Sequence, residues 1–142
     1  MPIPIVVDTD VFVSALLGGG AANRLIGDCL RGQYQPLMGA ALYAEYESVL
    51  QRGDLFAKSR LTRGERDDLF DVFAGVSVWT RIYYSWRPNL RDESDNHLVE
   101  LAIAGGAEAI VTRNVRDFVI GTELRFPQIR IVTPAQFLRD KR

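Results

Sequence analysis

The sequence predicts a doubly wound α/β domain built on a mostly parallel sheet. Three observations lead there. Short β-branched apolar runs recur along the chain, each too short for a helix. Stretches with helical spacing separate them, and that alternation is the signature of crossover connections. Polar residues crowd at the ends of the runs, and in such sheets ligands bind beyond the carboxyl ends of the strands.

The elements follow in order. Ile3 to Val7 reads as a buried strand that stops at Asp8. Thr9 or Asp10 then caps a helix running to Leu17, where Gly18-Gly19-Gly20 ends it. A second helix covers Ala21 to Arg31 and closes at Gly32, and "QPLMG" supplies a short second strand. A third helix runs from Ala40 to Gln51 and is broken by Arg52-Gly53-Asp54. Thr62 and Glu65 form a capping box for a fourth, which continues through Ala74. "VSVWTRIYY" has strand-like residues, and "WRPNLRDESD" reads as a loop. Asp95 to Ala104 is helical, Gly105-Gly106 stops it, and "AEAIVT" is a strand. "IRIVTP" is one more strand before a final helix from Pro134 to Arg139. No repeat or linker interrupts this order, so a single domain spanning residues 1–142 is expected.

Composition narrows the class. A hydrophobic fraction of 47% and a charged fraction of 25% fit a globular protein with a real core. The net charge of −1 gives no global pull toward nucleic acid or membrane. Among the basic residues only Lys58 and Lys141 are lysines, and arginine grips phosphate bidentately; base composition of the gene explains the same bias. Cys29 stands alone, which excludes a disulfide framework or a thiolate metal site. No stretch is long enough to span a bilayer, and no Lys or Arg precedes Arg24, so a cytoplasmic location is expected.

Candidate functional residues lie where the apolar runs stop. A carboxylate directly after three buried β-branched residues is costly unless something binds it, so Asp8 is read as functional. Asp10 either caps the following helix or joins Asp8. Glu45 falls beside the stripe formed by Leu42, Tyr46 and Val49; such an acid either pairs with a buried arginine or lines a site. Asp92 and Asp95 suit a helix N-terminus, but Asp95 also tops the stripe of Leu98, Val99 and Ala102, so a site role competes there. His97 and Glu100 take the opposite, solvated face of that helix. Thr112, Arg113, Asn114 and Asp117 crowd another strand end, although Asn and Asp are also ordinary turn formers.

Several carboxylates brought to one sheet edge repel one another, and the usual resolution is a hard cation with oxygen ligands, Mg²⁺ or Mn²⁺. "LLGGGAAN" follows a helix rather than a strand, so it is not a phosphate loop. A Ser-His-Asp triad would need His97, which is expected to face away.

The ordered set "VVDTDVFVSALL", "LYAEYESVLQR", "WRPNLRDESDNHLVELA", "AIVTRNVRDF" and "IVTPAQFL" resembles PIN-domain proteins, in particular the toxin components of bacterial toxin–antitoxin pairs related to VapC-like ribonucleases. The resemblance implies a three-layer α/β/α sandwich with a mostly parallel central sheet, and a Mg²⁺- or Mn²⁺-dependent endoribonuclease. It carries the family's acids onto Asp8, Glu45, Asp95 and Asp117, with Asn114 where other members have an aspartate. Thr9 and Thr112 match small hydroxyl positions that support the ligands, and position 10, commonly Asn, is Asp here. Asp8 and Asp95 would ligate one metal and Glu45 would handle the attacking water. Asp117 and Asn114 would complete the shell or hold a second ion. Arg24, Arg113 and Arg116 are candidates for phosphate contacts, with Asp10 and Asp92 as supporting acids. RNA, a homodimer partner and a cognate antitoxin are the partners it implies. Two other readings stay open: a degenerate PIN module that binds RNA or a protein, and a haloacid-dehalogenase-like phosphatase suggested by "DTDVF". The second is weakened by Phe12, which stands where that family carries Thr or Val, and by two poorly placed lysines.

Overall fold

The computed structural model describes residues 2–82, 96–116 and 128–141. Its strands are β1 (Ile3–Val7), β2 (Tyr34–Met38), β3 (Val78–Trp79), β4 (Ala109–Val111) and β5 (Arg130–Val132). Its helices are α1 (Thr9–Leu17), α2 (Ala21–Leu30), α3 (Ala40–Leu50), α4 (Arg63–Val76), α5 (Asn96–Gly105) and α6 (Pro134–Asp140), with one 3-10 turn at Gly53–Phe56. The predicted helices and the other strands are present, with ends displaced by a residue or two. The strand expected over "VSVWTRIYY" narrows to Val78–Trp79, with Thr80 to Ile82 lying outside it. Tyr83, Tyr84 and the loop "WRPNLRDESD" lie outside the described residues.

All strand pairings are parallel, and the order is β3-β2-β1-β4-β5. From β1 the chain winds outward through β2 to β3, then crosses back over β1 to β4 and winds outward again to β5. Right-handed crossovers send the first set of helices to one face and α5 to the other. Contacts agree: α1 packs on α2, α2 on α4 and α6, while α5 packs on β1, β2 and β4. The result is a parallel sheet between helical layers. The winding direction reverses between β1 and β4, and a crevice opens beyond the carboxyl ends of those two strands.

The core joins both sheet faces. Ile5, Val6, Ala109, Ile110 and Val111 are inaccessible to solvent, as strand residues covered on both faces of a sheet should be. Phe12 of α1 meets Tyr46, Phe70 and Phe73 edge-on or tilted, with centroids 5.1–6.0 Å apart, which ties α1, α3 and α4 together. Gly105 lets α5 settle on β2, since a Cβ there would meet Leu37 Cδ1 at 2.4 Å. Gly32, at φ 84°, makes the left-handed turn from α2 into β2. Cys29 is fully buried and its thiol is pushed up to about 12 by that burial, as the inert reading requires. The predicted capping box at Thr62 is complete, and Thr133 forms a second one ahead of α6. Among the described residues no helix is long and apolar enough to cross a membrane.

Candidate functional site

The site begins with how β1 ends. The Asp8 amide still donates to Val111 O at 3.0 Å, continuing the ladder with β4 by one residue. Asp8 also occupies the N-cap position of α1, with extended backbone (φ −66°, ψ 150°) and its carbonyl accepting from Val11. Its carboxylate makes no cap hydrogen bond. Oδ2 instead accepts from the Thr112 hydroxyl at 2.8 Å, and that hydroxyl accepts from the Asn114 amide at 3.1 Å. Both Asp8 and Thr112 are buried. A buried carboxylate is tolerated when charge-assisted bonds replace its water. Here the donor comes from the neighbouring strand end.

The capping expectation for Asp10 is corrected by this arrangement. Asp8 takes the cap position, and Asp10 lies inside the first turn of α1. Its carboxylate reaches across the crevice to the Arg113 amide, at 3.1 Å from Oδ2. Burial, and next the charge of Asp8, push its carboxyl up from 3.8 to about 6, against the partial relief of the Arg113 amide. Two acids thus share the mouth of the β1–β4 crevice under mutual strain.

Glu45 arrives from α3, which touches both α1 and α5. The next residue, Tyr46, is fully buried, and its phenol donates to Val7 O at 2.7 Å. That bond pins α3 to the last residue of β1. Glu45 Oε1 accepts from the Thr9 hydroxyl at 2.9 Å, and Oε2 lies 2.7 Å from His97 Nε2. The expectation for His97 is therefore corrected: only 19% of its side chain is exposed, and it faces Glu45 rather than solvent. Glu100 is half-buried as well. Helical spacing identified the stripe of α5 that faces the sheet, but α3 covers a second flank. Glu47, by contrast, is exposed, as its place on the wheel requires.

The three arginines differ. Arg24, Arg113 and Arg116 are all exposed. Arg113 follows Thr112 at the crevice, whereas the charge of Arg24 is felt by Tyr34 at the opposite end of β2. Asp92, Asp95 and Asp117 lie outside the described residues. Among the described residues no three acids, cysteines or histidines form a group able to hold a metal by themselves. What Asp8, Asp10 and Glu45 offer in kind is carboxylate oxygen, which suits a hard divalent cation.

The family model described as PIN domain matches residues 4–116, most of the chain and all of the residues just placed up to Arg116. The chain belongs to the PIN-domain family. PIN domains are generally nucleases and typically use divalent metal ions, and this one has the parallel, helix-flanked sheet expected of that fold. A search of curated proteins finds no significant match. In this PIN domain the residue that sequence reasoning missed is His97; its one signal was being the sole histidine of the chain, directly after the Asp95-Asn96 pair.

Proposed function

We propose that this PIN domain is a metal-dependent endoribonuclease of the toxin type, hydrolysing RNA phosphodiesters. One observation supports the reading most: the buried Asp8 carboxylate, held by Thr112 at the point where the sheet reverses its winding, with Asp10 under like-charge strain beside it. Asp8, together with Asp95, Asp117 and Asn114, would hold Mg²⁺ or Mn²⁺. When bound, that ion supplies positive charge to a phosphodiester oxygen. Glu45 orients the attacking water and accepts its proton, with Thr9 fixing one carboxylate oxygen. Thr112 keeps Asp8 turned to the crevice, and Arg113 is placed to meet a phosphate at its mouth. Arg116 would extend that contact. A homodimer and a protein antitoxin belong to the same reading, and the 55% exposed Trp79 on edge strand β3 is a candidate contact for the former.

Purified protein with Mn²⁺ or Mg²⁺ is expected to cut single-stranded RNA, and EDTA to abolish cutting. Water as nucleophile leaves 5′-phosphate ends. Products ending in 2′,3′-cyclic phosphate would overturn the mechanism. RNA binding that persists without metal, with no cutting under any condition, would instead establish the degenerate module.

A further inference from the structure

We propose that His97 is a positioning residue of this site: its imidazole Nε2–H and the Thr9 hydroxyl grip the two oxygens of Glu45 from opposite helical layers and set the plane of that carboxylate. The inference rests on the reading that Glu45 serves the reaction.

The geometry gives each oxygen its own donor. Thr9 of α1 reaches Oε1 at 2.9 Å, and His97 of α5 lies 2.7 Å from Oε2. A glutamate side chain has among the largest rotamer freedoms to lose on ordering, so two donors from different elements do what one could not. A single bond leaves the carboxylate free to spin about its last torsion. Two bonds at separate oxygens remove that spin.

The proton can also be located. His97 Nδ1 is buried and has no hydrogen-bond partner among the described residues. A neutral ring with hydrogen on Nδ1 would bury an unpaired N–H and turn a lone pair toward a carboxylate oxygen. Hydrogen on Nε2 removes both costs, so Nε2–H is the inferred tautomer. The ring then has one hydrogen to give, and gives it to Glu45.

A packing role alone does not account for this histidine. Leu98, Val99, Leu101 and Ala102 are already buried and hold α5 to the sheet. His97 lies on the flank facing α3, where an apolar side chain would fill the same space and donate nothing.

His97 is the only histidine of the chain, so protein labelled with ¹⁵N-histidine shows one imidazole. Without metal, the long-range ¹⁵N–¹H pattern is expected to be that of the Nε2–H tautomer, and Glu45→Gln to shift it. An Nδ1–H pattern, or a signal indifferent to Glu45→Gln, would overturn the proposal whether or not the protein cuts RNA. Kinetics supply the second arm. His97→Leu is expected to lower kcat about ten- to a hundredfold, with KM and thermal midpoint nearly unchanged. His97→Gln, which restores an N–H donor, is expected to recover most of that loss. In a Glu45→Gln background, His97→Leu should add almost nothing. A His97→Leu defect of equal size in both backgrounds would make His97 independent of Glu45 and defeat the proposal. Glu45→Gln cutting at the wild-type rate would defeat the role of Glu45 itself, with the imidazole signal still reporting the contact.

Discussion

The two ends of the same sheet handle acids in opposite ways. Where the strands begin, Asp28 meets Arg31, Glu108 meets Lys141 and Asp140 meets Arg130, so each carboxylate has a cationic side chain against it. Where the strands end, the described partners of Asp8, Asp10 and Glu45 are hydroxyls, a backbone amide and an imidazole. Full-charge pairing at one end neutralises. Among the described contacts at the other end, hydroxyl, amide and imidazole dipoles orient the carboxylates. The first arrangement is a set of one-to-one pairs, whereas the second sets Asp10 beside Asp8, a like-charge strain that an added cation relieves. That contrast, more than the number of acids at either end, separates a surface from a site.

The comparison can be broken most sharply at Asp8. Asp8→Asn keeps an oxygen for the Thr112 hydroxyl but removes the charge. Metal-dependent RNA cutting is expected to fall about a hundred- to a thousandfold, the usual scale for losing one preorganised electrostatic contact. Single-turnover rates against the melting curve in EDTA check this, with stability essentially retained. A variant that cuts like wild type would make both ends of the sheet equally structural.

Asp10 sharpens the contrast through pH. Its folded-state value of about 6 lies above the ordinary 3.8, so the protonated acid favours the folded chain. That contribution is whole below 3.8 and is lost as pH rises through about 6. Metal-free wild type should therefore lose stability relative to Asp10→Asn across that window, in paired thermal melts. The asparagine can still accept from the Arg113 amide, so parallel pH profiles would show that the strain at this end is absent.

The smallest effect belongs to the opposite end. The Arg130–Asp140 pair is 40% and 39% exposed, and such pairs contribute at most about 1 kcal/mol. Arg130→Gln should shift stability by no more than that, less in high salt, and leave cutting unchanged. A large loss of activity would mean the two ends communicate.

Much of this was legible in the sequence, for identifiable reasons. Runs such as Ile5-Val6-Val7 and Ala109-Ile110-Val111 announce buried strands because local composition carries the signal. Asp8 was legible because a charge at the end of such a run needs a physical excuse. Whether Asp10 caps α1 or joins Asp8 stayed open in the sequence, because local spacing cannot reveal that the Asp8 amide remains bonded to β4, which moves the cap one residue earlier than the expected Thr9. His97 was misread for a longer-range reason. The position of α3 against α5 follows from strand order and crossover direction, and a helical wheel drawn for α5 alone contains neither.

The bond from Tyr46 to Val7 has one more consequence. Val7 immediately precedes Asp8, and Tyr46 immediately follows Glu45, so one hydrogen bond indexes the helix against the strand. Each residue of a helix turns about 100° from the last, following from ~3.6 residues per turn. A residue inserted between Glu45 and Tyr46 that kept this bond would swing the acid off the crevice. An insertion after Leu50 would leave it untouched. The bond thus divides the chain into a stretch where length is frozen and a stretch where length can drift. Natural or engineered variation in length should collect in the connection beyond α3, with the adjacency of Val7 to Asp8 and of Glu45 to Tyr46 kept.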